Sequence, residues 1–155
     1  MENQRPDFIR HYSELMENYG PGDDGAMFGR KLGLTRLGIN FEILEPGGQI
    51  APPHAHEKDE EFVFVLDGTP DLWLDGNLHR LAPGDGVVFP NGTGIAHCVF
   101  NNSDAPVRLI VVGERHDDRC YFPVNPKRPG RWAEAPRRPL GPHDGRARKA
   151  AKSNG

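Results

Sequence analysis

Apolar residues in this chain gather in short runs about ten residues apart, with Gly, Pro, Asn or Asp between them. Runs of that length, bounded by turn residues, predict strands rather than helices. The expected strands cover 34–44, 50–56, 61–66, 71–74, 77–81, 86–89, 96–101 and 107–113. Asp67-Gly68, Asp75-Gly76-Asn77 and Pro83-Gly84-Asp85-Gly86 supply the turns. A different rhythm opens the chain. Phe8, Ile9, Tyr12, Leu15, Met16 and Tyr19 recur with a helical period, which predicts one short N-terminal helix within 6–19. The whole pattern reads as an all-β barrel or sandwich.

Composition sharpens this picture. The 155 residues suit a single domain, and 19 glycines with 15 prolines suit a turn-rich β fold. The expected domain covers 1–145, followed by a basic tail over 146–155 that is expected to be disordered. Charge is divided along the chain: residues 1–120 hold ten Lys or Arg against twenty acids, and residues 121–155 hold nine against two. A basic end can bind nucleic acid, but this one is proline-rich and poor in aromatics, and the acidic remainder shows no helix-turn-helix pattern. It is read as an irregular C-terminal arm lying on the acidic body or on a neighbouring subunit, and nucleic acid is not an expected partner. No apolar run approaches the ~20 residues of a membrane span, and no basic segment followed by an apolar one opens the chain. The expected location is the cytoplasm. Cys98 would face away from its neighbour His97, and neither it nor Cys120 is read as a ligand or a disulfide partner.

The candidate chemistry lies in two stretches whose first glycines are 36 residues apart. The first, GQIAPPHAHEKDEEFVFVLDG, carries Gly48, His54, His56, Glu61 and Gly68. The second, GDGVVFPNGTGIAHCVFN, carries Gly84, Pro90, Gly92, His97 and Asn101. Residues two apart on a strand share a face, so His54 and His56 present both imidazoles to one side. A polar turn leads to Glu61, and an antiparallel hairpin would return its carboxylate beside them. His97 can close the set from an adjacent strand. Three imidazoles and a carboxylate suit one divalent transition metal ion per chain, Fe, Mn, Ni, Co, Cu or Zn, better than Ca or Mg, which prefer oxygen. Glu60 competes for the carboxylate role but points to the opposite face from Glu61. His79 can line the barrel but is read as an ordinary strand residue. His11, His116 and His143 are read as surface residues, and Asn101 as a turn residue.

These two stretches resemble the paired motifs of the cupin superfamily. The first matches at Gly48, His54, His56, Glu61 and Gly68. The second matches at Gly84, Pro90, Gly92, His97 and Asn101, but has four residues, 93–96, where the pattern has two. The resemblance covers about 35–115 and is similar to small stand-alone microbial cupins without an assigned activity. It implies an antiparallel jelly-roll β-barrel, commonly paired as a homodimer, with His54, His56, Glu61 and His97 as metal ligands. It further implies a small-molecule ligand or substrate and, as an enzyme, a metal-dependent dioxygenase, decarboxylase or isomerase. No other acid, base or nucleophile stands out, so no catalytic residue is assigned, and a non-catalytic binding or sensing cupin is the alternative.

Overall fold

The computed structural model of the chain describes residues 5–123. Its strands are β1 (Met16–Gly20), β2 (Asp23–Met27), β3 (Leu37–Leu44), β4 (Ala55–His56), β5 (Glu61–Asp67), β6 (Asp71–Leu74), β7 (Asn77–Arg80), β8 (Gly86–Phe89), β9 (His97–Phe100), β10 (Val107–Glu114) and β11 (Cys120–Tyr121). One short helix, α1 (Phe28–Lys31), joins β2 to β3. Six strands form a sheet in the order β1-β2-β3-β10-β5-β8, facing a three-stranded sheet, β7-β6-β9, and the small pair β11-β4. Every strand pairing among the described residues is antiparallel. The fold is the expected antiparallel β architecture of the jelly-roll type.

Alternation along the strands builds the core. Val63 and Val65 of β5, and Val107, Leu109 and Val111 of β10, point inward to meet Leu44, Leu72, Phe89 and Val99. Inward residues two apart leave the intervening ones on the other face, and Leu66 beyond them is 43% exposed. Two motif glycines are fixed by space. A Cβ on Gly48 would collide with the Gly22 carbonyl oxygen. Gly68 turns at φ +82°, and there a Cβ would sit 2.8 Å from Val107 Cγ2. Asn101 is wholly buried, donating to Leu44 O at 2.9 Å and Ala105 O at 2.7 Å. Its own oxygen accepts from the Ser103 N–H at 2.9 Å, so it pins the turn before β10.

Three expectations change. The N-terminal helical segment shrinks to a 3₁₀ turn over Tyr12–Glu14, and Met16–Gly20 is strand. His11 caps that turn, and the Tyr12 ring lies 4.5 Å from Phe41. After it, pairing of β1 with β2 captures residues whose spacing also fits a helix, a tertiary override of local rhythm. The 50–56 strand is also mostly irregular. Only Ala55–His56 is strand, while Gln49 and His54 touch β9 through single bridges to Phe100 and His97. Finally, the C-terminal arm does not begin as irregular chain, because β11 pairs with β4. The domain boundary near 145, the 146–155 tail and His143 lie outside the described residues. Among the described residues, no helix is long and apolar enough to cross a membrane.

Candidate metal centre

Three sheets deliver the candidate ligands. His97 heads β9, and His54 is bridged to it by paired backbone hydrogen bonds of 3.0 and 2.8 Å. His56 follows on β4, two residues on, with its imidazole turned toward that of His54. Glu61 does not return by a hairpin with β4. It opens β5 in the opposite sheet, where β10 and β8 flank it, and reaches across the interior. The two extra residues between Gly92 and His97 are taken up in a turn with Gly92 and Gly94 at positive φ, so His97 still reaches the centre.

The donor atoms of His54, His56, Glu61 and His97 all lie within 4.8 Å of one another. His54 Nε2 is 3.1 Å from His56 Nε2, His56 Nε2 is 3.1 Å from Glu61 Oε2, and His97 Nε2 is 3.3 Å from Glu61 Oε2. Donors ~2.1 Å from an ion stand ~3.0 Å apart when adjacent on an octahedron and ~3.4 Å apart on a tetrahedron. The observed spacings therefore fit a transition metal.

Tautomers point the same way. His54 Nδ1 lies 2.9 Å from the Pro52 carbonyl, and His56 Nδ1 lies 2.7 Å from Asp118 Oδ2. Both partners only accept, so both Nδ1 atoms carry hydrogen, and it is the Nε2 atoms that are left to offer lone pairs to an ion at the centre. Two lone pairs facing each other at 3.1 Å repel unless a cation or a proton lies between them. His97 is only 3% exposed, and its Nδ1 has no partner among the described residues. Its ring is held instead by stacking on Phe89 at 3.6 Å.

Electrostatics agree with a metal-binding set. Burial, then the neighbouring His97 and His56, push His54 down to about 4, which keeps it neutral and able to coordinate. Burial opposes ionisation of Glu61, but hydrogen bonds from His56 and His97 outweigh it and hold the carboxylate down at about 2. At His56 burial disfavours the charged form, and contacts to Cys120, Glu61 and Asp118 overcome it, raising the group to about 11 in the metal-free centre. A cavity of about 50 Å³ opens against His56 and His97, walled by Leu74, Val87, Phe89 and Ile95, with Thr93 as its hydroxyl.

The other candidates fall where the sequence placed them or take no part. Glu60 and His79 are exposed. His11 caps the 3₁₀ turn, and His116 lies on the surface 2.7 Å from Asp59. Cys98 is buried, its thiol pushed up to about 11 by burial, and contacts the Ala51 carbonyl. Cys120, not expected as a ligand or a disulfide partner, is a free thiol whose Sγ is 3.6 Å from His56 Nδ1. Two features escaped the sequence reading. Asp118 grips a histidine 62 positions away, and no local spacing signals a contact that distant. Glu42 shares the inward face of β3 with Leu44, pairs with Leu109, and is 3% exposed. Its Oε2 and Asp23 Oδ1 have no donor among the described residues. Burial, then the adjacent Asp23, lifts Glu42 to about 8, and burial raises Asp23 as well. The available signal was a charged residue at an inward strand position.

Comparison with known proteins places this geometry in context. Residues 40–113 match the Cupin domain family. The chain is 36% identical over 99 residues to germin-like protein 5-1 of Oryza sativa subsp. japonica, covering 59% of this chain and 43% of that protein. It spans less than half the length of this and similar plant relatives. A sugar phosphate isomerase of the cupin superfamily from Silicibacter pomeroyi is 32% identical, with a TM-score of 0.63, over 70% of this chain and 74% of that one. The polyketide cyclase RemF from Streptomyces resistomycificus is 25% identical, with a TM-score of 0.60, over 72% and 82% of the two chains.

Proposed function

The chain belongs to the cupin superfamily, and from that premise we propose that it is a metal-dependent enzyme acting on a small oxygenated metabolite. His54, His56, Glu61 and His97 hold one divalent transition metal ion. The reading is carried by one observation: four donors of the types such ions prefer converge within 4.8 Å, beside a small cavity. When bound, such an ion supplies Lewis-acid polarisation of a coordinated oxygen and, if redox-active, dioxygen chemistry.

The protein's own groups shape what enters. Phe89 holds the His97 ring by stacking, while Leu74, Val87 and Ile95 give the cavity an apolar wall that limits water. Glu61 stays ionised and lends the centre negative charge. The reaction belongs to the dioxygenase, decarboxylase or isomerase type. Likeness to a sugar phosphate isomerase supports the last of these.

One observation favours a second reading, a binding or sensing protein: besides two histidines, Thr93 is the only polar side chain among the described residues lining the cavity. A homodimer is also proposed, supported by the outward apolar residues Phe8, Leu78 and Val88. A cytoplasmic location is proposed as well, supported by two unpaired thiols. Protein loaded with Fe, Mn, Ni, Co or Zn is expected to turn over at least one member of a panel of small acids and sugars. That turnover should disappear in Glu61→Ala. Ligand binding with no turnover under any of these metals would favour the sensing protein instead.

A further inference from the structure

The segment after β10 doubles back across the two histidines of β4. It lies beyond the 40–113 stretch that matches the family. Cys120 and Tyr121 pair with His56 and Ala55, and Phe122 stacks over His54 with ring centroids 5.9 Å apart. Arg119 grips Glu57 with two nitrogens, at 2.5 and 2.7 Å. Within this strap the Asp118 side chain is only 8% exposed. Its Oδ1 accepts the Lys58 backbone N–H at 2.7 Å, and its Oδ2 stands 2.7 Å from His56 Nδ1. One carboxylate thus ties the strap both to the loop after His56 and to the His56 ring.

We propose that Asp118 is a positioning residue for the metal centre, fixing the tautomer and ring orientation of His56 so that its Nε2 lone pair faces the other ligands. The proposal rests on the reading of His54, His56, Glu61 and His97 as the ligand set. A carboxylate cannot donate, so the hydrogen between the two groups sits on His56 Nδ1, and the opposite nitrogen is left free to coordinate. The three imidazoles are held in different ways. His54 is held by a neutral carbonyl and His97 by ring stacking. His56 has the charged partner, which makes its ring the more strongly donating ligand. Asp118, His56 and Cys120 also form a donor cluster of their own. However, 2.7 Å between Nδ1 and Oδ2 is a hydrogen-bond distance, shorter than the ~3.0–3.4 Å expected between two donors on one ion.

The test is Co(II) titration of the full chain against a chromophoric chelator, read for affinity, stoichiometry and the visible ligand-field spectrum. One ion per chain is expected for the parent. Asp118→Asn, which keeps the shape and removes the charge, should weaken binding about 10- to 100-fold and shift the spectrum; Asp118→Ala should do at least as much. Arg119→Ala, which loosens the strap without touching His56, should change neither. Unchanged affinity and spectrum in Asp118→Asn, with metal still lost in His54→Ala, would overturn the role of Asp118 and leave the ligand set standing. If His54→Ala and His97→Ala also bind like the parent, the ligand set fails, and the role of Asp118 with it. Two ions per chain, one of them lost in Cys120→Ser, would overturn the proposal in favour of a second metal site. Should the Asp118 variants fail to fold, nitrogen NMR of the zinc-loaded parent decides: the His56 proton is expected on Nδ1, and a proton on Nε2 would contradict the assignment.

Discussion

A single inward position on β3 shows how one residue changes the pH behaviour of the molecule. Glu42 is held near 8, above its ordinary value, by burial and then by Asp23. A carboxyl raised in the folded state binds more protons folded than unfolded over that interval, so its contribution to stability is lost as pH rises from about 4.5 to about 8. Other shifted groups add slopes of their own, and comparison with Glu42→Gln isolates this one. The amide of Glu42→Gln can donate to Asp23 at every pH. Melting temperatures of parent and Glu42→Gln should therefore diverge in favour of the variant between pH 5 and 8. Parallel curves would show that Glu42 is not raised in the folded state. The room for this pair comes from Gly25, where a Cβ would collide with the Glu42 carboxylate and the Tyr19 ring.

Among the elements, β10 organises the molecule, because it pairs with β3 on one side and β5 on the other. Leu109 at its centre is fully buried. Leu109→Ala should cost about 2–5 kcal/mol in chemical denaturation, and a loss below about 1 kcal/mol would mean that the core can close over the gap. Strands with apolar runs and flanking turn glycines were legible in the sequence: β6 and β8 match the expected 71–74 and 86–89 at both ends. The β1–β2 hairpin was not, because Asp23-Asp24-Gly25 carries no apolar alternation and becomes strand by pairing with β3. The same difference divides the site. His54, His56, Glu61 and His97 were legible as a spaced pattern, though Glu61 arrives from the opposite sheet and not by a hairpin. Asp118 was not, since its role depends on where the strap crosses β4.

At the scale of the whole molecule, the large sheet and the two small ones do different work. The six-stranded sheet supplies Glu61 and most of the core, and the smaller sheets supply the three histidines. No one sheet assembles the four donors, so binding of an ion would couple the sheets and add to the stability of the fold. Metal content per chain, measured on protein purified without chelator and reloaded with Fe, Mn, Co, Ni or Zn, tests this most directly. About one ion per chain is expected in the parent, with severe loss in His54→Ala, His56→Ala and His97→Ala and none in His11→Ala or His116→Ala. A folded parent that binds none of these ions, or binding unaffected by all three ligand substitutions, would contradict the account.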